Sequence, residues 1–399
     1  MTFFSSRLDR IKLSPSTAAT QHARELRAQG RDIIALAIGQ PDFETPQHVK
    51  RAVHDALARN ETKYPPIDGI PELKEAVRRK FQRENALEYK TDQIMIGTGS
   101  KQIIFNAMMA TIGPGDEAII PAPYWISYLD MVLVSDGTPV EVPCSAESGF
   151  KLTPQQLEAA ITPRTKWLLL NSPNNPTGAV YSRAELRGLA DVLLRYPQVW
   201  ILSDDIYEHL RFDGIEFATI AQVEPKLYDR TLTVNGVSKT YAMTGFRLGY
   251  AGGPKELIRN IIKLQSQSTA GVKSLSQWAA VEALDGPQEF VPERAASFQA
   301  RRDRVLEMFK DIPGLQPNYP QGAFYMYVCC GDLYGRKTAQ GKVLANEQDV
   351  VMHLMDHGVA VVLGAAYGMS PYFRMSIATE MKNLEEACRR MQRAVAELT

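Results

Sequence analysis

NGVSKTYAMTGFRLGY, residues 235–250, gives the rest of the chain its meaning. Lys239 follows the β-like run 231–234, with the turn formers Gly236 and Ser238 close by, and this pattern predicts an ammonium at a strand end facing a cleft. Desolvation and neighbouring cations lower a lysine pKa, and the neutral amine that results can form a Schiff base with an aldehyde or ketone. Eight residues on, Arg247 carries a planar fork suited to a bidentate phosphate, and Ser238 adds a hydroxyl donor. An imine-forming lysine beside phosphate donors points to pyridoxal phosphate. Taken alone, such a pair is more often a solvated lysine and a salt-bridged arginine, so the other segments must discriminate.

The chain of 399 residues, 45% hydrophobic and 23% charged, can bury a large core and predicts one large and one smaller domain. Lys plus Arg equals Asp plus Glu at 45 each, so no global field draws it to nucleic acid or to an anionic membrane. Arg7, Asp9, Arg10 and Lys12 interrupt the N-terminal stretch, which leaves no signal-peptide core, and no run elsewhere reaches membrane-spanning length. Cys144, Cys329, Cys330 and Cys388 show neither metal-type spacing nor a disulfide framework, so no metal is expected and the setting reads as cytoplasmic.

In chain order, Ser16 is a candidate cap for a helix over 17–29, and 33–38 resembles a buried strand. Thr45 is a candidate cap for the next helix, with Val49, Val53, Ala56 and Leu57 on one face. From residue 93 the pattern is strand, turn, helix: 94–96, Gly97-Thr-Gly-Ser-Lys101, then 103–112. Free amides at such a helix start suit an anion, and Ser100 and Lys101 add donors. The turn is no dinucleotide fingerprint, because Gln102 sits where a third glycine is due. Further strands at 118–120, 139–142, 167–170 and 199–202 alternate with a helical stretch from Tyr124 and a helix over 153–161, which argues for a mostly parallel sheet flanked by helices. Beyond about residue 285 the pattern changes to a helix over 292–309 and strands near 323–328 and 359–363. The expected division is therefore 46–284 as the large domain, with 1–45 and 285–399 forming a smaller α+β domain.

Ligands collect at the carboxyl ends of parallel strands, where Asn171-Ser-Pro-Asn-Asn-Pro-Thr-Gly178 and Asp204-Asp-Ile-Tyr207 are placed. Pyridoxal chemistry needs a carboxylate at the pyridine nitrogen, a role open to Asp204. Tyr207 and Asn175 can bond the ring's phenolic oxygen, Trp125 can stack on the ring, and Arg374 can clamp a substrate α-carboxylate. Each has an ordinary alternative: a loop carboxylate, structural polar groups, a core aromatic, a surface ion pair.

The chain resembles class I aminotransferases of the aspartate aminotransferase family, fold-type I pyridoxal-phosphate enzymes, from about residue 13 to the C-terminal helix. The resemblance rests on Ser172-Pro-Asn-Asn-Pro-Thr-Gly178, Asp204-Asp-Ile-Tyr207, Ser238-Lys-Thr-Tyr-Ala-Met-Thr-Gly-Phe-Arg247 and Tyr372-Phe-Arg374, in family order and spacing. It implies that Lys239 both anchors the cofactor and moves the substrate proton. It also implies that Asp204 pairs with the pyridine nitrogen, and that Asn175 and Tyr207 pair with the phenolic oxygen. Trp125 then covers the ring, while Gly99, Ser100, Lys101, Ser238 and Arg247 line the phosphate. Tyr64 would reach the phosphate of a neighbouring subunit, giving a homodimer with shared active sites, and Gly39 would join Arg374 at the substrate. Gly236 stands where some relatives carry a phosphate-binding serine, and Thr17, Ala18 and the segment 269–274 also depart from the family pattern. Lys101 is a candidate for a distal substrate carboxylate or for phosphate alone.

The function expected is amino transfer between an L-amino acid and a 2-oxo acid, with a lean to aspartate or glutamate and 2-oxoglutarate. An aromatic or other neutral donor, or a β-lyase on the same fold, is the alternative. A non-catalytic sensor and a nicotinamide dehydrogenase are weaker readings.

Overall fold

The computed structural model describes residues 3–12 and 15–399, with the side chains of 15–18 and 20 excepted. The side chains at the departures Thr17 and Ala18 therefore lie outside those described, and Ser16, expected as a cap, falls within helix Pro15–Ala28 instead. Seven strands form one sheet, in the order Ile94–Gly97, Gly249–Gly252, Thr231–Gly236, Trp200–Asp204, Thr165–Asn171, Glu117–Ala122 and Thr138–Pro143. Gly249–Gly252 runs antiparallel to both neighbours and the other pairings are parallel. The reason lies in the connection: residues 237–248 hold only a short 3-10 turn, with no helix to carry a crossover, so the chain must return antiparallel.

Both faces of the sheet are buried, and the sequence alternation shows how. Ala118, Ile120, Trp167, Leu169 and Leu202 enter one apolar cluster, while Ile119, Leu168, Leu170 and Ile201 enter another. Each leucine or isoleucine among them contributes about 1.5–3 kcal/mol on burial, so the strands can dispense with a polar face. The flanking helices are locally specified where caps are present. Ser182 and Glu185 form a capping box on Arg183–Leu193, and Thr153 and Gln156 form another on Pro154–Ala160.

A second sheet of four antiparallel strands has the order Val362–Leu363, Tyr372–Ser376, Tyr325–Cys329, Gln316–Pro317. It shares an apolar core with helices Phe290–Phe309, Glu347–Asp356 and Met381–Ala396. The strand expected at 33–38 shrinks to Ile34–Ala35, parallel to Val359–Ala360. Leu36 still bonds the Ala360 carbonyl and the Ser376 amide, but past it carbonyls serve the cavity: Arg374 donates to that of Ala37, and Lys239 to that of Gly39. The first helix spans Pro15–Ala28 rather than 17–29. Thr45 caps nothing; its hydroxyl donates to the Ala242 carbonyl, helix Gln47–Ala58 starts behind Pro46, and Leu57 is half-exposed. The helical stretch expected from Tyr124 is the helix Ser127–Val134, because the Tyr124 amide is taken by the Tyr367 carbonyl. All four cysteines are free. Among the described residues no helix is long and apolar enough to cross a membrane.

Candidate active site

Register places the chemistry. Asn171 pairs with Asp204, and Asp204 with Val234, so the parallel strands end in one row, with the Lys239 turn following the last of them. Above this row lies a cavity of about 480 Å³, closed from the other side by Ala37 to Gln40, Tyr325 and Arg374. Every site residue named from the sequence lines it except Tyr64, whose side chain is 98% exposed.

Lys239 Nζ donates to the Gly39 carbonyl at 2.7 Å and lies over the Tyr207 ring. Burial pulls its pKa down to about 8, the charges of Arg374 and Arg247 push the same way, and Asp204 opposes them. At the cavity floor Asp204 Oδ2 accepts from the Tyr128 hydroxyl at 2.6 Å, and Oδ1 accepts from the Ile206 amide. Burial raises the Asp204 pKa to about 6 despite those donors. Burial, with Asp204 next to it, also holds the Tyr128 phenol well above its usual range, so Tyr128 remains a donor.

The side opposite the strand ends is built on two strands of the small sheet, which carry Tyr325 and Arg374. Arg374 Nη1 donates to Asn175 Oδ1 at 3.0 Å and Nη2 to the Ala37 carbonyl at 2.7 Å. Its guanidinium carbon lies 4.4 Å over the Tyr325 ring. Arg374 Nε is buried and has no partner among the described residues, which leaves a donor for an incoming anion. Tyr207 and Tyr325 share a hydrogen bond of 2.9 Å between their hydroxyls.

The opposite end is cationic. Gly99, at φ 79°, caps helix Ser100–Thr111, and a Cβ there would meet Arg247 Nη2 at 2.8 Å. Arg247 itself is held at φ 51°, which costs a non-glycine residue about 1–2 kcal/mol. The Ser100 hydroxyl donates to the Asn235 carbonyl at 2.8 Å. Lys101 Nζ stands 5.0 Å from the Trp125 ring centroid, and its pKa is lowered by burial and by Arg247.

An amine that is half neutral near pH 8 thus shares one cavity with a buried carboxylate and with arginines at both ends. The profile of the family described as aminotransferase class I and II matches residues 31–391. The chain belongs to the class I and II aminotransferases. An aspartate/prephenate aminotransferase from Cereibacter sphaeroides is 55% identical over the whole of both chains. The aspartate aminotransferase of Rhizobium meliloti superimposes in its crystal structure with a TM-score of 0.97 at 52% identity, over the full length of each chain. The Thermus thermophilus aspartate aminotransferase with maleate gives 0.92 at 42% identity, covering 99% of this chain and 100% of that one. This aminotransferase is therefore a transaminase, and its amino-group transfer depends on pyridoxal phosphate.

Reasoning from sequence did not single out Tyr128 or Tyr325 in the transaminase. Tyr128 meets Asp204 across 76 positions and Tyr325 meets Tyr207 across 118, and neither sits in a motif that names a partner. Gln21 and Arg24 at the cavity mouth were missed for the same reason.

Proposed function

We propose that the chain holds pyridoxal phosphate through Lys239 and moves an amino group from aspartate or glutamate to a 2-oxo acid such as 2-oxoglutarate. The observation that carries this reading is the Lys239 amine, buried, lowered to about pKa 8 and facing Arg374 and Asp204 in one cavity. The donor set fits the cofactor. The absent side chain at Gly99 leaves room beside Arg247, the start of helix Ser100–Thr111 offers amides, and Asp204 waits buried at the floor.

Bound pyridoxal phosphate supplies an electron-withdrawing ring conjugated to the substrate α-carbon. Asp204, ionised above about pH 6, keeps a proton on the ring nitrogen. Tyr207 and Asn175 would hydrogen-bond the phenolic oxygen, and Trp125 would cover the ring face. Arg247, Ser100, Ser238 and the Gly99 turn would cradle the phosphate, with Lys101 left to the substrate's distal end. Arg374 and the Gly39 segment bind the α-carboxylate, which turns the α-hydrogen to Lys239, and the neutral amine removes and returns that proton. The amino acid leaves as its 2-oxo acid, and a second 2-oxo acid takes up the amino group.

Lys101 supports the dicarboxylate preference: its ammonium lines the cavity and makes no salt bridge among the described residues. The Thermus relative with maleate, itself a dicarboxylate, supports the same reading. The relatives named for both aspartate and prephenate extend it to a larger 2-oxo acid with a second carboxylate. The test is a panel of L-amino acids mixed with the holoenzyme while cofactor absorbance is followed through one half-reaction. Aspartate and glutamate are expected to convert fastest. Lys101→Ala is expected to slow them tenfold or more, about 1.4 kcal/mol, while sparing neutral donors. Equal conversion of aromatic donors would sink the substrate assignment, and product ammonia in place of the pyridoxamine form would favour a lyase.

The reading includes a homodimer in which Tyr64 reaches the neighbouring subunit's phosphate; its near-complete exposure supports this. It also includes a cytoplasmic setting, supported by the four free cysteines. The large domain is read as 46–284 and the small one as 1–45 with 285–399, supported by where the two sheets fall.

A further inference from the structure

Lys80 is fully buried, and the chemistry above does not use it. Its ammonium forms an ion pair with Glu208 and donates to Asn85 Oδ1 at 2.7 Å, while Asn85 Nδ2 donates to Glu208 Oε2 at 2.7 Å. Glu208 Oε1 in turn accepts from Asn235 Nδ2 at 2.7 Å. Asn235 opens the Lys239 turn: its Oδ1 accepts from the Gly236 amide and its carbonyl from the Ser100 hydroxyl. A second arm reaches the other side of the lysine. His209 lies 2.9 Å from Glu84 Oε2 through Nε2 and 3.2 Å from the Thr240 hydroxyl through Nδ1. Glu84 stands 3.5 Å from Lys80, so the two arms join. Glu84, Glu208 and His209 are close enough to ligate a metal ion, but the Lys80 ammonium already pairs with both carboxylates.

We propose that Lys80, Glu208, Glu84 and His209 are positioning residues that fix Asn235 and Thr240, and with them the direction of the Lys239 amine and the Ser100 hydroxyl. None of the four lines the cavity. A buried ion pair is seldom the most stabilising filling for such a site, because desolvation offsets its attraction, whereas its hydrogen-bond geometry is directional. Here that geometry ends on the residues flanking the amine, at positions 235 and 240. The groups facing Glu208 are Lys80 and Glu84 on helix Pro71–Asn85, Asp205, His209 and Arg211 on its own segment, Tyr241 past the Lys239 turn and Tyr250 on strand Gly249–Gly252. Displacing an anchor of this kind misaims the amine even when the fold survives.

The proposal rests on Lys239 holding the cofactor, and its test compares two charge-balanced double variants of the holoenzyme. Lys80→Met/Glu208→Gln keeps an acceptor for Asn235, while Lys80→Met/Glu208→Leu removes it. The leucine double is expected to release cofactor about tenfold faster than wild type. It is also expected to shift the titration midpoint of the bound-cofactor absorbance by about half a unit or more, which the glutamine double largely restores. A network serving stability alone would lower the melting temperature of both doubles with midpoint and release rate unchanged, and that result overturns the proposal. If the leucine double does not fold, His209→Leu against His209→Gln is decided by the same two readouts. A wild-type protein without any bound-cofactor absorbance would instead refute the functional reading, and this proposal with it.

Discussion

Lys239 is half neutral near pH 8, well below its ordinary 10.5, because burial and two arginines disfavour the ammonium. The sign follows directly: neutral amine accumulates as pH rises through 8, and the amine, not the ammonium, captures an aldehyde. Capture of pyridoxal phosphate by cofactor-free enzyme should therefore accelerate from pH 6 to 8, by about tenfold per unit, and level off above. Arg374→Leu removes one of the lowering charges, so its midpoint should move upward; stopped-flow absorbance against pH reads both, and an unmoved midpoint would remove Arg374 from the tuning. At this scale Lys239, Asp204 and Arg374 were legible because each sits in a local motif that declares its chemistry. Tyr128 and Tyr325 were not, since their meaning comes from partners far away in sequence. Asn175 was read as a partner of the ring oxygen, and the fold adds Arg374 as a second one.

Among elements, the decisive contact is the start of helix Ser100–Thr111 against the strand Gly249–Gly252. A Cβ at Gly249 would lie 2.2 Å from the Ser100 nitrogen and 2.7 Å from the Gly99 carbonyl carbon, and backbone cannot move aside as a side-chain tip can. Gly249→Ala is expected to cost about 1–3 kcal/mol in denaturant unfolding and to loosen cofactor retention. Gly245→Ala, with open space around it, should change stability by less than about 0.5 kcal/mol. Equal effects of the two would mean that the close approach is not what seats the helix. The alternation of strands and helices was legible because both faces of the sheet are buried and the strands read as apolar runs. Element ends were less so: 33–38 looked like one strand, yet the Ala37 carbonyl goes to Arg374 and that of Gly39, just beyond, to Lys239, a tertiary demand with no local sign.

In the whole molecule, the row of parallel strand ends supplies Lys239 and Asp204 and the small sheet supplies Tyr325 and Arg374, so the cavity exists only where the two sheets meet. Tyr64 is exposed and does not line that cavity, and the homodimer reading gives it to the neighbouring subunit's site. Hybrid dimers of Tyr64→Phe and Lys239→Ala chains should then hold one cofactor tightly, because the lysine-bearing site receives an intact Tyr64 from its partner. Retention no better than in Tyr64→Phe alone would place that tyrosine outside any shared site. The measurement that bears most directly on the central claim is borohydride reduction of the yellow holoenzyme followed by peptide mass mapping. The expected result is one stable phosphopyridoxyl addition, on the peptide containing Lys239, lost in Lys239→Ala together with the amino-acid half-reaction. An addition on another lysine, or none, would contradict the assignment of Lys239 as the amine around which the site is built.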